Sequence, residues 1–239
     1  MVNRFHMEIA VSVRIKIGLL KVGSAPAGLV AARGDYDMAF RALLAEEEFE
    51  FVTYDIEHDL FPESVTVADA WIITGSRHGV YEQHSWLAPL EQLIRDIQAA
   101  RRPLVGICFG HQIVAQALGG HVERAACGWI AGPQRYRDEH GEIFYANAWH
   151  RDQVVEAPPG AEIIASGEEC PVAGLKYDGP IMTLQPHPEF DETYFQGLLK
   201  ERGAALPEAL RAQVATVSET QTLNHDYVRS KIKCVLKSN

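Results

Sequence analysis

Cysteine is scarce in this 239-residue chain, with four residues at Cys108, Cys127, Cys170 and Cys234. None forms a CxxC pair, and no histidine cluster stands at zinc-ligand spacing around them. That excludes a cysteine-built zinc module and a disulfide-stapled scaffold, so no metal is expected. Long apolar runs are also missing. No stretch reaches the roughly 18 residues a membrane helix needs, and no membrane partner is expected. Basic residues are outnumbered, 22 against 32 acidic, for a formal charge of −10. Nucleic-acid binding depends on clustered Lys and Arg, so nucleic acid is not an expected partner. The opening MVNRFHMEIAVSVRIKIGLL lacks a signal-peptide pattern: Glu8, Ser12 and Arg14 break its apolar stretch and no A-x-A site follows. A reducing, cytoplasmic setting is the expectation.

What is present is ordinary globular material, and it is ordered by period. A hydrophobic content of 47% with 23% charged residues excludes global disorder. From Ile15, short apolar runs alternate with amphipathic stretches. Ile15–Val22, Phe49–Asp55, Ala70–Thr74, Pro103–Ile107 and Ile181–Leu184 read as strands. Helical spacing is expected over about Asp35–Glu47, Trp86–Ala100, Gln112–Leu118, Glu192–Arg202 and Pro207–Val217, with a Gly/Pro/Ala loop after the first strand. Such alternation implies βαβ units around a mostly parallel sheet covered on both faces. Between His121 and Leu184 the runs are short and separated by turns, which predicts a small antiparallel portion. The expected organisation is an extension over residues 1–14, one α/β domain over 15–203, and a C-terminal helical extension over 204–239 whose last residues are polar and ambiguous.

The segment PLVGICFGHQ carries the chemistry. A strand runs into Cys108, and Gly106 and Gly110 flank it at ±2 before a helix begins. This is the cysteine form of a nucleophile elbow, whose tight turn tolerates only small neighbours. A cysteine taken singly is most often a packing residue, but this context reverses the weighting. A thiol at a helix N-terminus also gains from the dipole and free N–H groups, which favour thiolate. The base it needs is offered by QPHPE, directly after the strand IMTL. His187 and Glu189 are two apart in an extended, Pro-restricted segment, so His187 can take the thiol proton while Glu189 orients the ring. Oxyanion donors are expected from the backbone N–H of Phe109 and from Gly75 or Ser76, in the turn after AWIIT.

Together these segments resemble the class I, triad-type glutamine amidotransferase family, from about Ile15 to Arg202 and in the family's order. The resemblance implies a flavodoxin-like fold and hydrolysis of the glutamine side-chain amide through a γ-glutamyl thioester, with ammonia released and no cofactor. It assigns Cys108 as nucleophile, His187 as base and Glu189 as its partner. It also places Gln112, His150, Arg151 and Asp152 at the substrate, although Arg151 stands where the family commonly has Gly. Ser76-Arg77 replaces the Gly-Pro frequent in synthetase-linked members. The pattern is similar both to free-standing GMP synthase-like glutaminase modules and to plant-type γ-glutamyl peptidases. No P-loop follows Arg202, so any ammonia-using synthetase would be a separate partner.

Three readings stay open at this point: a γ-glutamyl hydrolase acting on glutamine or γ-glutamyl peptides, the same fold with other cysteine chemistry, and an inactive binding module. Intact Cys108, His187 and Glu189 speak against the last. Cys127, Cys170, Cys234 and Trp71 are expected to be packing residues; Trp129 and Trp149 lie near the pocket segments, where packing is favoured over a substrate-facing role that stays open.

Overall fold

A computed structural model describes residues 14–218 and 220–238. The expected extension over residues 1–14 therefore lies outside the described residues except for Arg14. The strands are β1 (Ile15–Lys21), β2 (Phe49–Asp55), β3 (Ala70–Ile73), β4 (Leu104–Ile107), β5 (His121–Arg124), β6 (Ile130–Asp138), β7 (Ile143–His150), β8 (Asp152–Glu156), β9 (Glu162–Gly167), β10 (Gly174–Lys176) and β11 (Ile181–Leu184). The helices are α1 (Ala27–Arg33), α2 (Tyr36–Leu43), α3 (Leu87–Ala99), α4 (Phe109–Ala117), α5 (Glu192–Arg202), α6 (Glu208–Ser218) and α7 (His225–Leu236).

Nine strands form one sheet in the order β2-β1-β3-β4-β11-β10-β9-β6-β7, while β5 and β8 form a separate antiparallel pair. The first five run parallel. From β11 onward the pairing turns antiparallel through β10, β9, β6 and β7.

Side-chain alternation along the central strands sorts residues to two faces. Ile17, Leu19, Ile72, Val105, Ile107, Met182 and Leu184 join one buried cluster, with Phe40 and Leu44 near α2 and Val228, Ile232 and Leu236 of α7. Trp71, Ile73, Leu104 and Ile181 join the other, beneath Leu90, Ile94 and Ile97 of α3 and Ile113 and Val114 of α4. The result is a three-layer sandwich. Trp71 is fully buried because Gly18 on β1 leaves it room: a Cβ there would sit 2.3 Å from Cζ3 of the indole.

One segment differs from the sequence expectation, and the polar, ambiguous end of the expected helical extension takes a definite form. The Gly/Pro/Ala loop contains α1, opened by Pro26, a residue compatible with a helix start because it has no N–H to satisfy. The ambiguous tail contains α7, a full helix whose Val228, Ile232 and Leu236 are buried against the sheet. Its apolar residues recur at four-residue steps between Lys and Arg, so its short apolar stripe is diluted by charge. No described helix is long and apolar enough to cross a membrane.

Candidate active site

Because β3, β4 and β11 are parallel neighbours in register, the segments that follow them emerge side by side at one sheet edge, where open α/β sheets bind ligands. Those segments begin with Thr74-Gly75, Cys108 and Gln185. The three stretches singled out in the sequence therefore meet.

Cys108 sits between β4 and α4 with φ 54° and ψ −104°, a conformation that costs a non-glycine residue on the order of 1–3 kcal/mol. Its neighbours hold it there. Its N–H donates to the Leu184 carbonyl at 2.8 Å, and its carbonyl accepts from the Gln112 N–H at 3.0 Å. The flanking glycines are sterically required. A Cβ on Gly106 would lie 2.5 Å from the Gly110 carbonyl oxygen, and one on Gly110 would lie 2.4 Å from that of Ile73.

His187 faces the same spot. A Cβ on Gly75 would meet His187 Cε1 at 2.9 Å and Cys108 Cβ at 3.8 Å, so Gly75 marks the place where thiol and imidazole converge. His187 Nδ1 bonds Glu189 Oε1 at 2.6 Å, and both side chains are buried. The ring stacks on Phe190 with centroids 4.1 Å apart, and the His187 N–H donates to the Asn147 carbonyl at 2.7 Å. Burial alone would lower the His187 pKa. The Glu189 carboxylate and the Cys108 sulfur outweigh it and push the imidazole up to about 10. These neighbours therefore favour the protonated ring.

Phe109 opens α4, where first-turn N–H groups lack intrahelical acceptors. At the neighbouring turn the Thr74 hydroxyl donates to the Gly75 carbonyl at 3.1 Å. In a trans peptide the next N–H, that of Ser76, then points the opposite way. Ser76 lines the cavity in front of Cys108.

That cavity measures about 570 Å³ and is bounded by Cys108, His187, Gln112, Trp129, Trp149 and Arg202, among others. Gln112 is fixed from behind, its amide donating to the Asp152 carbonyl at 2.7 Å and to Gln185 Oε1 at 3.1 Å. His150 Nδ1 lies 3.1 Å from the same Asp152 carbonyl. Burial, reinforced by the His187 charge, pushes the His150 pKa down to about 3. It is thus neutral, donates through Nδ1, and carries a buried Nε2 with no partner. Asp152 Oδ1 is likewise buried and unpartnered, while Oδ2 accepts from the Tyr81 hydroxyl at 3.1 Å. Arg151 is exposed and lies over the Trp129 ring at 5.8 Å. All ten residues singled out for the site thus gather around one edge of the sheet, though Arg151 stands at its rim and Glu189 behind His187.

Sequence reasoning missed several neighbours. Asn147, on β7, pairs with His187 and donates its amide to the Phe190 carbonyl at 3.0 Å. Tyr36 and Arg202 line the cavity from α2 and α5, distant in sequence from the motifs. Trp129 and Trp149, for which both packing and a substrate-facing place were open, do both: they pack on the cluster around Phe190 and Phe195, line the cavity and touch each other with centroids 5.9 Å apart. Of the remaining cysteines, Cys170 is buried as expected, but Cys127 and Cys234 are exposed and all are free thiols.

A family model described as glutamine amidotransferase class-I matches residues 41–203, more than half of the chain. The chain belongs to this family. Among curated relatives of this amidotransferase-family chain, gamma-glutamyl peptidase 2 of Arabidopsis thaliana is 26% identical over 173 residues, covering 66% of this chain and 69% of the relative. A glutamine-hydrolyzing GMP synthase subunit of Methanocaldococcus jannaschii is 38% identical over 104 residues, 40% of this chain and 55% of that one. Among solved structures, a glutamine amidotransferase of Thermotoga maritima superposes with a TM-score of 0.73 at 20% identity, covering 94% of this chain and 99% of that one. At that identity the likeness speaks for the amidotransferase fold alone.

Proposed function

We propose that the chain hydrolyses γ-glutamyl amide bonds, that of glutamine first among them, by cysteine catalysis at Cys108. The observation that carries this reading is the convergence of the strained Cys108 elbow, the buried His187–Glu189 pair at 2.6 Å and the Gly75 gap between them. In the proposed sequence the Cys108 sulfur, its proton held by His187, adds to the Cδ carbonyl. The N–H groups of Phe109 and of Gly75 or Ser76 receive the developing oxyanion. His187 gives the proton to the leaving nitrogen, the C–N bond breaks, and ammonia or an amine departs from a γ-glutamyl thioester. Water, deprotonated by His187, then cleaves the thioester; the glutamyl carboxylate leaves, one proton goes to solvent, and the Cys108 sulfur is returned with its proton on His187. Glu189 orients the ring and balances its charge throughout.

The unpartnered acceptors Asp152 Oδ1 and His150 Nε2 suit the α-ammonium of a γ-glutamyl group, with Gln112 holding the wall and Arg151 at the mouth. A second reading has a specific observation in its favour. A cavity of about 570 Å³ lies in the range of roughly 300–1,000 Å³ that encloses drug-sized ligands, far more than glutamine requires. It has room for a γ-glutamyl peptide, and peptidase-named relatives support that use. A glutaminase working for a separate synthetase is the counterpart reading, supported by the GMP synthase relative.

Purified protein incubated alone with glutamine, and separately with γ-glutamyl dipeptides, distinguishes these uses by release of ammonia or free amino acid. Fast peptide cleavage with poor glutamine turnover makes it a self-sufficient γ-glutamyl hydrolase. Slow glutamine turnover without peptide cleavage makes it a glutaminase that needs a partner. Absence of both, with no thioester trapped on Cys108, contradicts the proposal.

A further inference from the structure

At the rim of the cavity in front of Cys108, which His78 itself lines, the turn that follows β3 gathers a set of donors the proposed reaction does not use. Among the described residues, His78, Glu82 and His84 bring one ligand atom each within 4.8 Å of one another. His78 Nδ1 stands 3.3 Å from Glu82 Oε2, and His84 Nε2 stands 2.7 Å from the same oxygen. Behind His78, its Nε2 lies 2.9 Å from Glu57 Oε1, in the turn after β2. The His78 and Glu57 side chains are only 14% and 15% exposed. The His84 ring is held flat against Trp86, centroids 5.3 Å apart and planes within 10°.

Tautomer logic makes this arrangement informative. Once Glu57 accepts the His78 Nε2–H, Nδ1 presents a lone pair to a carboxylate oxygen. Two acceptors facing each other at that range are satisfied by a proton on Nδ1 or by a cation. A carboxylate–histidine pair behind the ligand nitrogen is the arrangement that orients metal-bound imidazole and raises its basicity. With metal–ligand bonds of about 2.0–2.2 Å, the edge of a tetrahedral site is about 3.3–3.5 Å. The His78–Glu82 separation matches that edge already, and His84 needs a small retreat. Two imidazoles and one carboxylate form a borderline donor set suited to Zn²⁺, and Glu82 with Glu57 balances its charge.

We propose that His78, Glu82 and His84 form a Zn²⁺ site, with Glu57 as the outer carboxylate that orients His78. Three protein donors leave a fourth position for water. The ion ties together the two ends of the turn between Ser76 and Trp86. That turn carries the backbone proposed to receive the oxyanion, and Trp86 packs on Phe109 with centroids 5.8 Å apart. The ion's role is to brace this turn, and binding is independent of whether the cysteine reaction is as proposed.

The test uses the Cys108→Ser protein, which removes the reactive thiol as a competing ligand. After EDTA treatment and dialysis it is titrated with ZnCl₂ by calorimetry and with CoCl₂ by visible absorption. The expected result is one equivalent of Zn²⁺, tetrahedral-type Co²⁺ bands, and a melting temperature raised by about 5–10 °C at a hundredfold excess over Kd. Adding Glu82→Gln and His84→Gln together should abolish that binding while the circular dichroism spectrum stays the same. Glu57→Gln alone, a milder change, should weaken it about 10–100-fold. No stoichiometric binding, or binding unchanged in these variants, overturns the proposal.

Discussion

At Cys108 the sulfur is presented by a backbone held in a conformation it would not choose alone. The strain is offset by two main-chain hydrogen bonds and by glycines at ±2 that leave no room for a side chain. Gly110→Ala would force its new Cβ against the Ile73 carbonyl oxygen, 2.4 Å away, which cannot move without disturbing β3. We expect a loss of about 1–3 kcal/mol, read as a lowered urea midpoint at unchanged slope. On the proposed chemistry, Cys108→Ser and His187→Ala should each reduce γ-glutamyl turnover on the order of 10³-fold or more, because such groups act as a unit. Glu189→Gln should cost less, since it leaves the base in place; steady-state kinetics on all three variants checks the order. A Glu189 effect larger than that of His187 would give Glu189 another role.

Between elements, the site depends on a helix outside the motifs. His225, the first residue of α7, places its Nδ1 2.9 Å from the Pro188 carbonyl, within the His187–Glu189 segment. Just before it, Asn224 brackets Tyr145 on β7, its side-chain oxygen accepting the Tyr145 N–H at 2.7 Å and its own N–H donating to the Tyr145 carbonyl at 2.9 Å. Two residues on, Asn147 pairs with His187. The helix is anchored by Ile232, fully buried against the sheet. Ile232→Ala should destabilise the protein by about 2–5 kcal/mol in denaturant unfolding, a core-sized effect from the polar, ambiguous end of the expected C-terminal helical extension. This is where sequence reasoning ran short. The parallel strands and the elbow were legible because short continuous apolar runs end in glycine, cysteine or proline punctuation. The buried face of helix α7 was not, because Lys231, Lys233 and Arg229 interleave with its apolar stripe. Nor were Asn147, Tyr36 and Arg202, which reach the site only through the sheet order and helix packing, and no local pattern announces either.

Across the whole molecule, buried histidines bound the pH range of stability. His111 is fully buried between the Thr183 hydroxyl at 2.7 Å and the Val172 carbonyl at 3.0 Å, and burial pushes its pKa down to about 4. In the unfolded chain it titrates near 6.5, so as pH falls from about 6.5 to 4 the unfolded state takes up the proton first and stability drops. The loss is on the order of 3 kcal/mol from His111, and neutral His150 acts in the same direction. His187 acts oppositely. Its folded value is raised, so its contribution is complete below about 6.5 and fades as pH climbs through about 10. Stability should therefore peak near neutrality, with His111→Gln flattening the acid limb; urea unfolding across pH 4–9 measures both.

Fold, pocket and the His187 ring all converge on one atom, the Cys108 sulfur. The most direct measurement is intact-mass and peptide mapping after incubation with a glutamine-mimicking electrophile, on the native protein and on Cys108→Ser. Cysteine catalysis at this position predicts a single adduct located at Cys108, absent from Cys108→Ser, together with loss of γ-glutamyl turnover in that variant. An adduct mapped to another residue, or undiminished turnover in Cys108→Ser, would contradict it.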